Sequence, residues 1–247
     1  LFIKKFYVHA ITHISFTHNL FPRTQGSING PNWSLGVEMQ FYLLILLAAP
    51  LLRRVKPLTL LAVCIGVAWI WRACVFAALN GEIRRGVNMT WFGVSQVPGM
   101  LDEFGFGILI ALVLHRDKDG RLHRSLHATR WLWPLAAGVL GSIAMGFFWQ
   151  DPGFWGNWKL VVFWRTLLAA TFALVVISAC AINDRWFLAV TAPLRYLGTI
   201  SYGIYLWHML VHNRVLTLER ISGVQHPLTQ FLATLLATWL VAEVSYR

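Results

Sequence analysis

The chain has 247 residues, of which 57% are hydrophobic and only 13% charged, and its formal net charge is +11. Soluble domains usually hold about 25% charged residues, so this chain in water would expose large apolar patches, which excludes a soluble globular fold. The basic residues sit in short stretches between apolar runs, not along one polar face; this argues against nucleic acid as a partner and for the Lys/Arg bias of membrane-protein loops.

Eight apolar segments follow one another: 6–21, 33–52, 58–79, 91–114, 131–149, 160–182, 194–213 and 228–246. Runs of about 20 apolar residues match the bilayer's hydrocarbon thickness, whereas barrel strands would be about 10 residues long with alternating polarity. The predicted fold is therefore all-α, a polytopic transmembrane helix bundle of about eight spans, with the lipid bilayer as partner and one membrane domain over 1–247. The first segment is short and carries His9, His13 and His18. Cys64, Cys74 and Cys180 fall inside spans without C-x-x-C spacing, so they read as small packing residues and not as a metal or redox site.

Loop charge sets the expected orientation. With the start of the chain on the cytoplasmic side, that side collects Lys4, Lys5, Arg53, Arg54, Lys56, Arg116, Lys118, Arg121, Arg124, Arg130, Arg185, Arg195 and Arg247. The opposite side collects only Arg23, Arg84, Arg85, Lys159, Arg214 and Arg220, so both ends are expected in the cytoplasm.

Charges inside a bilayer are costly, about 2.5–3.5 kcal/mol each on insertion scales, and so point to pairing or function. Four places qualify: Glu38, Arg72, Asp102-Glu103 and Arg165. Ser34, Glu38 and Tyr42 are spaced i, i+4, i+8 and share one helix face. Glu38 either orients a hydroxyl substrate or a catalytic base, or forms an ion pair with Arg72 or Arg165. Asp102 and Glu103 diverge by about 100° around a helix, so they are no acid/base pair. One of them neutralises an intramembrane Arg or contacts substrate. His208 and His212 have two-histidine metal spacing, but no companion carboxylate or Cys completes a zinc pattern, and no metal is expected. A triad of Ser34, His208 and Glu38 lacks the G-x-S-x-G elbow.

Asn32-Trp33-Ser34-Leu35-Gly36-Val37-Glu38, followed by Phe41-Tyr42-Leu43, resembles the membrane-bound acyltransferase 3 family. So do His18-Asn19-Leu20-Phe21, Leu101-Asp102-Glu103-Phe104 and Ser201-Tyr202-Gly203-Ile204-Tyr205-Leu206-Trp207-His208, and the likeness covers essentially the whole chain. The resemblance implies a bacterial inner-membrane enzyme of about ten helices. It would move an acyl group, commonly acetyl, from acyl-CoA as donor substrate to a hydroxyl of a cell-surface glycan or small molecule, with no permanently bound cofactor. Of the family's motif positions, Trp33, Ser34, Glu38, Tyr205 and His208 are matched here. Glu38 and His208 are the expected catalytic residues; Trp33, Ser34, Tyr205, Asp102, Glu103, Arg72 and Arg165 are the expected substrate contacts. The resemblance implies a base histidine on the family's first helix and an R-x-x-R patch before the third that helps bind the CoA; these first two helices have no counterpart here, nor has the family's C-terminal Glu-Pro segment. The eight spans thus correspond to helices three to ten, and a chain truncated at both ends is expected to be inactive alone. Arg53, Arg54, Lys56 and the 116–130 loop suit CoA phosphates or anionic lipid. The alternatives are a carrier for a lipid-linked glycan or other solute, and a non-catalytic remnant. Intramembrane charges suit a carrier equally well, but no repeated halves are visible.

Overall fold

The computed structural model describes residues 2–52, 54–79, 82–84, 86–151, 153–182, 184–222 and 226–247. Arg53 and Arg85, counted above among the loop charges, lie outside the described residues. Among the described residues there are twelve α-helices and one short hairpin. In order these are α1 (Phe2–Ile14), α2 (Trp33–Leu52), α3 (Pro57–Leu79), β1 (Ile83–Arg84), β2 (Val87–Asn88), α4 (Met89–Val94), α5 (Leu101–Arg116) and α6 (Arg121–Ala128). Then come α7 (Leu132–Trp149), α8 (Arg165–Ala181), α9 (Arg185–Val190), α10 (Ala192–Thr199), α11 (Ser201–Ser222) and α12 (Pro227–Tyr246).

Six stretches among the described residues are long and apolar enough to cross a bilayer: Gly30–Leu52, Pro57–Leu79, Val97–Arg116, Leu132–Trp149, Leu160–Ala181 and Pro227–Tyr246. They coincide with six of the eight segments read from sequence, and an all-α membrane bundle is the result. The other two differ for physical reasons. Helix α1 has 13 residues, about 20 Å at 1.5 Å per residue, short of the roughly 30 Å hydrocarbon core. The segment 194–213 divides at Ile200 between α10 and α11, and α11 carries His208, His212, Asn213 and Arg214 along its length. The span expected at 91–114 starts later than predicted, because Pro98 sits in a 3-10 turn, Val97–Met100, that separates α4 from α5. Leu46, Leu47, Ile70, Phe172, Leu236 and Val244 are exposed apolar side chains, as a lipid-facing surface requires.

The chain forms two units, Leu1–Gly36 with Arg185–Arg247 (unit 1) and Val37–Asp184 (unit 2). In unit 2, α3 packs on α5, α5 on α8 and α7 on α8. A Cβ on Gly105 would lie 2.8 Å from the Cys64 Cβ, so glycine is what lets α5 approach α3. Helix α6 lies on α8 with Leu126 buried beneath it. The Asp117 carboxylate caps α6, accepting from the His123 and Leu122 amides at 3.0 and 3.1 Å. These amide bonds hold its carboxyl below the usual carboxylate range. In unit 1, α11 packs along α12, α10 along α11, and the 3-10 turn Gly30–Asn32 against α11.

Candidate active site

Unit 1 gathers polar side chains from three stretches of sequence that lie far apart. Helix α1 ends at a left-handed residue, Phe16, with φ +55°. The Thr17 amide returns to the Thr12 carbonyl and the Phe16 amide to that of His13, which is a Schellman closure. Glycine usually fills that left-handed position; a bulky aromatic there is strained, and such strain tends to sit at functional sites. The turn folds the chain back so that the His18 ring stacks on the His13 ring, 4.1 Å between centroids and 9° from parallel. His18 and Asn19 are buried, and a Cβ on Gly36 would meet Asn19 Oδ1 at 2.5 Å and His18 Cε1 at 3.2 Å. Gly36 in the first stretch of α2 is thus explained by close approach.

The same turn reaches α11. His18 Nε2 donates to the Asn32 carbonyl at 2.7 Å, and Asn29 Nδ2 donates to Asn32 Oδ1 at 3.3 Å and to the Leu206 carbonyl at 2.8 Å. The Tyr205 hydroxyl donates to the Pro31 carbonyl, and the Ser34 hydroxyl lies 2.5 Å from it. With the Tyr205 proton on Pro31, the Ser34 hydroxyl donates to the Tyr205 oxygen at 2.5 Å or to the Pro31 carbonyl at 3.4 Å. This is not the arrangement of a Ser-His-acid nucleophile.

Histidine tautomers follow from their partners, since a carbonyl can only accept. His208 Nδ1 donates to the Tyr205 carbonyl at 2.6 Å, leaving Nε2 as the bare nitrogen of the neutral ring. His13 Nδ1 donates to the His9 carbonyl at 2.8 Å. Neutral His13 therefore has its lone pair on Nε2, and neutral His18 on Nδ1; both atoms are buried without a hydrogen-bond partner. Both amide atoms of Gln25 and Oδ1 of Asn29 are also buried and unpartnered. Gln25 and Asn29 escaped the sequence reading, which noted His13 only for sharing a helix face with His9. The available signal was three histidines in one apolar stretch, together with Asn29 three residues before the Asn32-Trp33-Ser34 motif. His212 turns elsewhere, with Nδ1 3.4 Å from the Thr234 hydroxyl on α12.

Unit 2 holds the intramembrane charges. Arg72 Nη2 meets Asp102 Oδ1 at 2.6 Å, and both side chains have 0% exposure. Arg72 also donates from Nε to the Gly99 carbonyl at 2.7 Å, and from Nη1 to the Val162 carbonyl at 3.0 Å and Thr166 Oγ1 at 3.2 Å. Val162 lies in the π-helical turn Leu160–Trp164 that precedes α8, where the i→i−4 ladder is interrupted and carbonyls are freed. Asp102 Oδ2 accepts from Thr166, and Oδ1 also accepts from the Glu103 amide at 3.0 Å. Arg165 Nε pairs with Glu103 Oε1 at 2.9 Å, with 17% and 32% of these side chains exposed. Both adjacent carboxylates therefore neutralise arginines. Arg72 and Asp102 are fully buried in their ion pair, whereas Glu103 and Arg165 keep accessible surface. The ion-pair reading of Glu38 is set aside as well: its half-buried carboxylate accepts from Tyr42 one turn along α2.

The profile of a family described as "Acyltransferase domain" matches residues 1–247. The chain belongs to the acyltransferase 3 family. Among curated proteins, this acyltransferase-family chain is 25% identical over 227 residues to the peptidoglycan O-acetyltransferase OatA of Listeria monocytogenes serovar 1/2a. That similarity takes in 87% of this chain and 33% of the relative, so the chain spans about a third of the relative's length. No solved structure matches the chain.

Proposed function

We propose that the protein is a membrane O-acyltransferase that transfers an acyl group, acetyl in the first instance, from acyl-CoA to a hydroxyl of a cell-surface glycan. The observation that carries this reading is His208 in a chain of this family. Its Nδ1 is anchored on the Tyr205 carbonyl, which orients a bare Nε2 as a general base requires. The acceptor class comes from the relative, whose name specifies peptidoglycan.

An alcohol is too weak an acid to attack a thioester unaided. His208 Nε2 takes the hydroxyl proton as the oxygen attacks the carbonyl carbon. The tetrahedral oxyanion then collapses, the C–S bond breaks, and the CoA thiolate leaves and takes a proton from the imidazolium. On unit 2, the Glu38 carboxylate keeps one oxygen that Tyr42 leaves free, and we assign it the role of a hydroxyl acceptor. Trp33, Ser34 and Tyr205 shape the surface of unit 1 that carries His208. Arg54, Lys56 and the basic loop after α5 suit the CoA phosphates on the cytoplasmic side. The loop-charge bias fits an inner-membrane protein.

The test is transfer of labelled acetyl from acetyl-CoA to peptidoglycan fragments by the full-length gene product in membranes, with Glu38→Ala and His208→Gln alongside. Label on the glycan that disappears in His208→Gln supports the reading. No transfer from any acyl-CoA overturns it, and glycan or solute translocation without acyl-CoA would mark a carrier instead.

A further inference from the structure

Unit 2 contains a pocket of about 510 Å³ where α7 ends and α8 begins. That volume lies within the range of small-ligand sites, about 300–1,000 Å³. Its walls include the rings of Phe147, Trp158, Phe163 and Trp164, and its polar lining is Gln150, Asp151, Asn157 and Lys159.

The walls are fixed before any ligand arrives. The Trp164 indole donates to the Ala144 carbonyl on α7 at 2.8 Å. Phe163 stands edge-on to Trp69 at 4.9 Å and to Trp158 at 5.8 Å. Behind them, buried Arg72 holds the π-helical turn through the Val162 carbonyl. The polar side is ordered too. Asp151 accepts from Asn157 Nδ2 at 2.5 Å and from the Gly153 amide at 2.8 Å, and Asn157 Oδ1 accepts from the Lys159 amide at 3.0 Å. Those bonds hold the Asp151 carboxyl below the ordinary range, so it is an acceptor at neutral pH.

We propose that this pocket binds a pyranose ring of a glycan chain. A sugar ring has apolar C–H faces and a polar hydroxyl rim, and the pocket offers both complements. Its aromatic faces carry the negative side of the ring quadrupole toward C–H groups. Asp151 accepts hydroxyl protons, Lys159 donates, and Gln150 does both. One carboxylate and one ammonium leave the lining neutral, which suits a phosphate headgroup poorly. A hydrocarbon tail would leave Gln150 and the Lys159 ammonium in the lining unmatched. On the orientation given by loop charge, Lys159 lies on the non-cytoplasmic side, where a cell-surface glycan is met. The pocket's service as a hold for the acyl acceptor rests on the acyltransferase reading, whereas sugar binding itself does not.

The test is calorimetric titration of the intact protein, in phosphatidylcholine nanodiscs, with chitotriose and maltotriose. We expect saturable binding of at least one trisaccharide. Trp158→Ala should weaken it about tenfold and Trp158→Phe should restore most of it, in line with loss and return of a stacking face. Trp158 is 50% exposed, so its removal leaves the fold intact; Gln150→Ala at the exposed rim gives a second check with a smaller loss. In the transfer assay Trp158→Ala should raise KM for the glycan and leave kcat near wild type. Trp158-dependent binding without any acyl transfer leaves the sugar site standing and removes the acyltransferase reading. No binding of either trisaccharide, affinity indifferent to both substitutions, or displacement by phosphatidylglycerol nanodiscs in a Trp158-dependent manner overturns the proposal.

Discussion

The two polar clusters of this apolar chain are built in opposite ways. Around Arg72 and Asp102 in unit 2, the arginine is bonded at Nε, Nη1 and Nη2, both carboxylate oxygens accept, and exposure is 0%. Around His13, His18, Gln25 and Asn29 in unit 1, buried polar atoms lack partners. Burying an unpaired polar group costs stability, about 1–3 kcal/mol. The contrast is between a fully paired charge cluster at Arg72 and Asp102 and a histidine-bearing cluster with open hydrogen-bonding positions.

The largest expected effect tests the scaffold half. Asp102→Ala leaves a buried, uncompensated guanidinium, and thermal or denaturant unfolding should show a loss of about 3–5 kcal/mol. The double variant Arg72→Met, Asp102→Leu removes both charges and should recover most of that loss. A single variant as stable as wild type would break the comparison from this side. On the chemical half, His208→Gln should lower kcat for acyl transfer by about 10²–10⁴-fold while unfolding stays near wild type, the range typical of a positioned base.

Smaller effects sharpen the picture. Gly105→Ala forces a Cβ to within 2.8 Å of the Cys64 Cβ, and overpacking of this kind costs about 1–3 kcal/mol in an unfolding experiment. Tyr205→Phe removes the bridge between Ser34 and Pro31; about 0.5–1.5 kcal/mol is expected, with a larger fall in transfer rate if the hydroxyl chain positions His208. The smallest concerns Asp117, whose carboxyl is depressed by the amides of His123 and Leu122. A depressed folded-state pKa gives stability that is present above the unfolded value near 3.9 and lost as pH falls below it. Asp117→Asn should flatten that acid limb and lower neutral-pH stability by the same small amount.

Much of the fold was legible because bilayer thickness and hydropathy decide it. Six spans end within a few residues of where apolar runs end, apart from the start of the fourth, where Pro98 and its 3-10 turn cut the run. The first and seventh segments were not legible as they fold. Whether 13 residues of α1 stop at Phe16, or Ile200 divides α10 from α11, depends on closures that hydropathy does not encode. At the site, spacing placed Ser34, Glu38 and Tyr42 on one helix, but it could not show that Ser34 meets Tyr205 across 171 residues of chain. It likewise left open which carboxylate meets which arginine; Asp102 takes Arg72 and Glu103 takes Arg165 through contacts between α3, α5 and α8. His13 was invisible as a partner of His18 because the strained turn at Phe16 brings them together.

The most direct test of the central claim is kcat for acetyl transfer from acetyl-CoA to a peptidoglycan fragment, measured for His208→Gln beside the charge-free Arg72→Met, Asp102→Leu variant. Transfer reduced at least about 100-fold in the first, and within a few-fold of wild type in the second, is the predicted result. Transfer that survives in His208→Gln and fails in the folded double variant would contradict it.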